Sequence, residues 1–227
     1  MYNKIILAIE TSGKICSVAL GRFHPLENAL NYELIAEYSI YVGNKHDKFC
    51  ADLCNRIIKD NSYDISKIDA VAISIGPGSW TGLRIGVSIA KGITFDSENK
   101  ISLIAVPTLC ALSYNAISFA KNLGANILSI ISSHSNLVYY QLFDNTGIKL
   151  NEAELISLDS LYEKYLNENV IITTNYPIDI KIGKYVSNLS YITANTIAEF
   201  GAKLYMNKEI SNSIDIQPLY LQDFMVK

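Results

Sequence analysis

Apolar residues in this chain fall first into short, nearly unbroken runs and then into helical spacing, and the alternation sets out the elements. Residues 5–9 (Ile-Ile-Leu-Ala-Ile), 16–22 and 33–42 have the β-branched character of three successive strands. Thr11-Ser12-Gly13-Lys14 separates the first two, and a loop containing Pro25 separates the next. Between 45 and 60 the apolar members Phe49, Cys50, Leu53, Cys54, Ile57 and Ile58 share one half of a helical wheel. Residues 69–75 predict a buried strand, because an almost continuous apolar run ends at a turn signal, Gly76-Pro77-Gly78-Ser79. A helix over 80–95, a strand over 101–106 and a helix over 108–121 follow.

The order so far is β-β-β-α-β-α-β-α, and beyond Gly124 it partly repeats. Strands are expected over 126–132, 137–143, 148–156 and 170–174, with a helix over 158–167. A last helix, over 195–206, takes Asn195 or Thr196 as its N-cap. Two degenerate β-β-β-α-β-α repeats, the second reduced, are the plan of the ribonuclease-H-like, actin-type ATPase superfamily. That expectation is α/β in class and divides the chain into domains 1–106 and 107–227. It is an analogy of topology, which gives no function by itself. Residues 1–106 should then hold one five-stranded mixed sheet with strand 5–9 at its centre. The helices over 45–60 and 80–95 should lie side by side on one face.

The helix over 80–95 has an unusual wheel. With Leu83 at the origin, Ile85, Ile89 and Ile93 fall between about 200° and 280°, while Leu83, Val87 and Ala90 fall near 0°. Arg84, Ser88 and Lys91 fill a narrow polar arc. The apolar arc is about 200° wide, twice what one sheet-facing side requires. Such a helix packs on a sheet on one side and on a partner on the other. The arc bordering the polar residues is assigned to the partner, with Trp80, Leu83, Arg84, Val87 and Lys91 as contact residues. Phe49 and Leu53 on the neighbouring helix join them. Ile85, Ile89 and Ile93 are assigned to the protein's own sheet. Gly82, Gly86 and Ala90 offer a flat strip for another backbone.

Composition narrows the function. Apolar residues make up 49% and charged residues 18%, as in an ordinary folded globular chain. The 19 basic residues are scattered among 22 acidic ones, for a net charge of -3, which argues against a protein that grips nucleic acid alone. The 15 tyrosines lack interleaved basic clusters and read as packing material. Cys16, Cys50, Cys54 and Cys110 form no CxxC pair, so reduced thiols in a cytoplasm are expected. No apolar run is long enough to span a bilayer, and the opening residues do not make a signal-peptide core.

The motif with chemical potential is Gly76-Pro77-Gly78-Ser79-Trp80-Thr81-Gly82-Leu83-Arg84-Ile85-Gly86-Val87. A strand-to-helix turn of this kind can hold an anion on backbone amides. No Lys-Ser/Thr follows as in a Walker loop, and the glycine spacing is not that of a dinucleotide fingerprint. A tight turn capped by Ser79 or Thr81 accounts for the loop itself. As for a working ATPase or kinase, Glu10-Thr11-Ser12-Gly13 stands where a first phosphate loop would. The matching point of the second repeat, Ser132-Ser133-His134-Ser135, has no carboxylate to hold a metal–phosphate group. A metal site at His46, Cys50 and Cys54 spans about 12 Å on a straight helix, too far for one ion. A catalytic triad has little to build on with three histidines and no nucleophile elbow. No catalytic, cofactor or metal residue is therefore assigned.

The chain resembles the TsaB (YeaZ) family. Ala8-Ile9-Glu10-Thr11-Ser12 and Cys16-Ser17-Val18-Ala19-Leu20 are similar to its opening strand pair, and 76–87 to its hallmark GPGSFTGLRIG, with Trp80 in place of Phe. Val106-Pro107-Thr108-Leu109 and Pro218-Leu219-Tyr220-Leu221 resemble its later motifs. Departures are Glu10 for the usual Asp, the uncharged 131–135 where relatives read Asp-Ala-Arg, and Gln222 after the PxYL. The resemblance implies a non-catalytic scaffold subunit of the complex that forms N6-threonylcarbamoyladenosine in tRNAs reading ANN codons. It implies binding to a TsaD-like catalytic subunit through a bundle of N-domain helices, a TsaE-like ATPase in the complex, and a homodimer when alone. Contact with tRNA would come only through the complex, with no membrane and no cofactor. The other class open to this fold is a small-molecule kinase.

Overall fold

The computed structural model describes residues 3–25, 30–41, 45–95, 101–175, 184–185, 192–211 and 215–220. The chain forms two compact units. One joins Met1–Val106 to Thr193–Pro218, and the other is built on Pro107–Ile192.

In the first unit β1 (Lys4–Glu10), β2 (Ile15–Pro25), β3 (Leu30–Tyr41), β4 (Ala70–Gly76) and β5 (Ser102–Pro107) form one sheet in the order β3-β2-β1-β4-β5. β1 is central, antiparallel to β2 and parallel to β4. Its side chains are buried on both faces, which is why it reads as a continuous apolar run and not as an alternation. α1 (His46–Asp60) and α2 (Trp80–Thr94) pack together on one face. There Cys50, Leu53, Cys54 and Ile57 of α1 and Val87 and Ala90 of α2 share a core with Ile5, Leu7, Ile9, Val71 and Ile73. The mixed sheet and the paired helices are as the pattern requires.

The opposite face carries α5 (Ala194–Met206). A Cβ at its Gly201 would stand 2.7 Å from the Ala72 methyl, with Ile6 and Val106 next nearest. The absence of a side chain lets the helix backbone lie on the strands. The division at residues 106 and 107 had assigned this helix to the second domain; the small, apolar strip Ala194, Ile197, Ala198, Gly201 and Ala202 belongs on the first sheet. Its N-cap is Thr193, not Asn195 or Thr196, and no side chain caps it. Instead the Ala194 amide donates to Ser17 Oγ at 2.8 Å, and the Asn195 amide to a Glu37 carboxylate oxygen at 2.9 Å.

In the second unit β6 (Asn126–Ser132), β7 (Leu137–Phe143), β8 (Glu154–Ser157), β9 (Val170–Thr174) and β10 (Lys184–Tyr185) pair in the order β10-β9-β6-β7-β8. Read from β8, this is the order of the first sheet, with β6 in the place of β1. The antiparallel pairs β6–β7 and β7–β8 and the parallel pair β6–β9 complete the match. The fold is therefore the ribonuclease-H-like, actin-type plan in two degenerate copies. α3 (Thr108–Leu123) packs on β6, β7 and β9, and α4 (Leu158–Tyr165) follows β8.

One expected strand is much shorter than its pattern. Residues 148–156 were expected as a strand, and only the end of that run enters β8. Asp144 captures the stretch before it, accepting from the Thr146 and Ile148 amides and from the Thr146 hydroxyl, with Gly147 at φ 88°. Asn151 then occupies the edge of β7, accepting from the Leu142 amide through Oδ1. Local side-chain bonds of Asp and Asn thus outcompete the ladder. β10 was not anticipated, and Lys45 precedes α1 without a side-chain cap.

Candidate functional site

Two features of the first unit bear on function: the outer surface of α2, and the corner where the turn after β1 meets the turn after β4.

α2 starts cleanly, because Ser79 accepts from the Gly82 amide at 3.2 Å. From there the structure departs from the wheel assignment. Leu83 is 1% exposed and Val87 5%, and Val87 and Ala90 face the protein's own sheet. Leu53 of α1 is buried in the same core. These three are not surface residues of the isolated chain, which corrects their expected exposure. Ile85, Ile89 and Ile93, expected on the sheet, lie half-buried along one flank of the helix. The physical reason lies in the glycines. A Cβ at Gly82 would meet the Thr11 carbonyl oxygen at 2.0 Å, and one at Gly86 would meet Thr11 Oγ1 at 2.3 Å. The flat strip therefore serves the turn after β1 of the same chain, and it draws the neighbouring Leu83, Val87 and Ala90 inward. Apolarity alone could not choose between two equally apolar arcs.

What remains outside is a face of Thr81, Arg84, Ser88 and Gly92, bordered by Ile85, Ile89 and Ile93 on one side and by Trp80 and Lys91 on the other. Trp80 and Lys91 are half-buried, and the exposed Arg84 guanidinium stacks 3.9 Å over the Trp80 ring. Phe49 of α1 is half-buried, and Phe95 just past α2 is 80% exposed. Of the seven contact residues expected from the sequence, Trp80, Arg84, Lys91 and Phe49 are thus within reach of solvent.

The corner beside the start of α2 is tightly closed. The Ser79 amide donates to the Ser12 carbonyl at 2.7 Å, and the Ser12 amide donates in turn to Glu10 Oε1. Glu10 is 2% exposed, and burial pushes its carboxyl up to about 7 against the hydrogen bonds from Ser12 and the lowering pull of the nearby Ser74 hydroxyl. Glu10 Oε2, Thr11 Oγ1, Ser74 Oγ and His46 Nε2 are buried with no hydrogen-bond partner. Burial also lowers the His46 imidazole, against interactions with the backbone of Ile15 and Gly13, so the ring is neutral near pH 7. Cys16, Cys50 and Cys54 are buried free thiols. Hydrogen bonding to Cys50, then burial, raises Cys16; Cys50 is lowered by Cys16 but raised on balance by Cys54 and burial. No group of three or more His, Cys, Asp and Glu among the described residues is placed to hold a metal ion.

In the second unit the point matching this corner is the β6–β7 hairpin. Its backbone closes on itself, with the Ser133 amide donating to Leu137 and the Leu137 amide to His134. Ser132, His134 and Ser135 are exposed.

A family model described as TsaD: tRNA N6-adenosine threonylcarbamoyltransferase matches residues 41–210. Nearly the whole chain is similar to the tRNA threonylcarbamoyladenosine biosynthesis protein TsaB of Buchnera aphidicola subsp. Baizongia pistaciae. The two are 26% identical, over 97% of this chain and 99% of that one. The protein of the same description from Haemophilus influenzae is 23% identical over 98% of this chain and 95% of its own length. The chain belongs to the TsaD family, on its TsaB branch. The solved YeaZ from Pseudomonas aeruginosa has the same fold, with a TM-score of 0.73 at 18% identity over 96% of this chain and all of that one. The TsaB hallmark segment is therefore the closed turn and the first two turns of α2, whose glycines are accounted for by Thr11. Sequence reasoning missed that Glu10 and Ser74 stand side by side; the signal was available, since both follow the aligned pair Ile9 and Ile73 on parallel strands.

Among the described residues, no helix is long and apolar enough to cross a membrane.

Proposed function

We propose that this protein is a non-catalytic subunit of the machinery that forms threonylcarbamoyladenosine in tRNA, and that it docks on a TsaD-like catalytic subunit through the outer face of α2 beside α1. The observation that carries the reading is the closed corner. A phosphate loop needs free backbone amides and room above them. Here the Ser12 amide is spent on Glu10, the Ser79 amide on the Ser12 carbonyl, and the Gly82 amide on Ser79. The first helix turn lies directly on the Thr11 carbonyl. The matching hairpin of the second unit, 132–135, supplies no carboxylate for a metal–phosphate group. A small-molecule kinase has neither half of its phosphate clamp in this arrangement.

The docking face is supported by its composition: half-buried Ile85, Ile89 and Ile93, the stacked Trp80–Arg84 pair, Phe49 and the exposed Phe95. Aromatic and arginine anchors flanked by aliphatic side chains are typical of contact cores. The same patch would pair two copies when the catalytic subunit is absent, as an isologous surface allows. A TsaE-like ATPase and tRNA would meet the protein only within the assembled complex in the cytoplasm.

The test is co-purification with the TsaD-like protein of the same organism, for the parent chain and for Ile89→Asp. The variant should lose about 2–5 kcal/mol of binding, because a charge would be buried unpaired in the contact, while melting near the parent temperature. Undiminished binding by Ile89→Asp would remove α2 from the contact. Calorimetry with ATP on the isolated chain tests the other half, and a micromolar site would restore the kinase reading.

A further inference from the structure

The proposed function gives no role to the buried carboxyl of Glu10 at the corner. β1 alternates its side chains, so Ile6, Ala8 and Glu10 point to the face covered by α5, where Ile6 meets the helix at Gly201. Glu10 stands beside Ser17 on β2, by register, and beside Ser74 on β4, one step past the aligned pair Ile9 and Ile73. Ser17 Oγ is committed to the Ala194 amide. Glu10 Oε1 is committed to the Ser12 amide. Two polar atoms on neighbouring strands are left over, Glu10 Oε2 and Ser74 Oγ, both fully enclosed.

Among the described residues, no cation is found to act on a carboxylate there. The Cys16 thiol of β2 and the Cys50 thiol of α1 feel its charge through space, and both are raised and uncharged. β4 contributes only Ser74. His46 at the start of α1 is neutral, Lys14 is exposed, and Arg84 of α2 lies out over Trp80. On α5, Lys203 is exposed, and half-buried Glu199 acts on Tyr32. An unpaired buried charge is far more costly than a buried neutral acid with its hydrogen bonds made. A single proton on Oε2 resolves both leftover atoms, because the acid then donates to Ser74 Oγ while still accepting from Ser12.

We propose that Glu10 is a neutral carboxylic acid that clamps Ser12 and Ser74 together, and that its ionisation loosens the turn on which the start of α2 rests. The link to α2 is direct: Glu10 holds the Ser12 amide, the Ser12 carbonyl holds the Ser79 amide, and Ser79 caps the helix. The device is intramolecular and stands whether or not α2 is a contact face. Its sign follows from linkage. Burial raises the folded carboxyl to about 7 from an ordinary value of 4.5. The stability it contributes is therefore complete below the unfolded value and is lost as pH rises through about 7.

The decisive measurement is a carbon-13 titration of the Glu10 side-chain carboxyl in the intact protein. A midpoint near neutrality supports the proposal, and one in the ordinary glutamate range overturns it. Ser74→Ala then reports which partner donates. If the neutral acid donates to Ser74, removing the acceptor moves the midpoint down; an upward move means that Ser74 donates to a carboxylate and overturns the clamp. Glu10→Gln can make both bonds without titrating. The parent's melting temperature should fall between about pH 4.5 and about pH 7 relative to that variant, and parallel profiles would overturn the switch.

Discussion

Val87 shows what a single side chain can and cannot reveal from sequence. It borders the polar arc of α2, so the wheel sends it outward, yet it is enclosed with Ala90 against β1 and β4. Burial depends on which arc the sheet meets, and the deciding residues, Gly82 and Gly86, carry no hydrophobic signal. Val87→Asp should therefore destabilise the isolated protein by about 3–5 kcal/mol, through a charge placed in the core. Thermal melts check this against Ile89→Asp on the flank, which is expected to melt near the parent temperature. Equal melting of the two variants would return Val87 to the surface. His46 is a second enclosed group at this scale. Because burial lowers its folded value, it contributes stability above its ordinary value of 6.5 that is lost as pH falls through the folded one. Replacing it by a neutral residue should flatten the acid limb of the stability profile, measured by denaturant melts across that range.

Elements were legible where one period dominated. β1, β4, α1 and α2 stand almost where apolar runs and helical spacing place them, because long periodic segments override local alternatives. The failures fall where short polar side chains compete for the backbone. Asp144 and Asn151 turn an expected strand into a bonded loop, and α5 is capped by Ser17 and Glu37 from distant strands, not by its own first residues. Long-range caps leave no trace in a local window. Close approach between elements gives a sharper prediction. Gly82→Ala would set a methyl carbon within 2.0 Å of the Thr11 carbonyl oxygen, a backbone atom that cannot swing aside. A loss of about 1–3 kcal/mol is expected from such overpacking, whereas Gly92→Ala, with nothing near its Cβ, should be neutral or slightly stabilising. Chemical denaturation of the pair checks both.

For the molecule as a whole, the repeat was readable because both copies keep the same order of strands, and β6 with its antiparallel and parallel neighbours reproduces β1 with its own. What could not be read was the ownership of the last helix, since nothing near residues 194–206 names the sheet they cover. Ser17→Ala tests that ownership: it leaves the buried Ala194 amide without its acceptor and should cost about 1–3 kcal/mol, seen as a lower denaturation midpoint. The placement of α5 on the first sheet also sets a timetable. A ribosome releasing this chain finishes β1 to β5 by residue 107, but the strand faces of Ile6, Ala72 and Val106 wait uncovered until Gly201 has been made. The first unit to be synthesised is thus among the last to close, and during that delay the emerging chain presents an apolar sheet face to whatever chaperone is at hand.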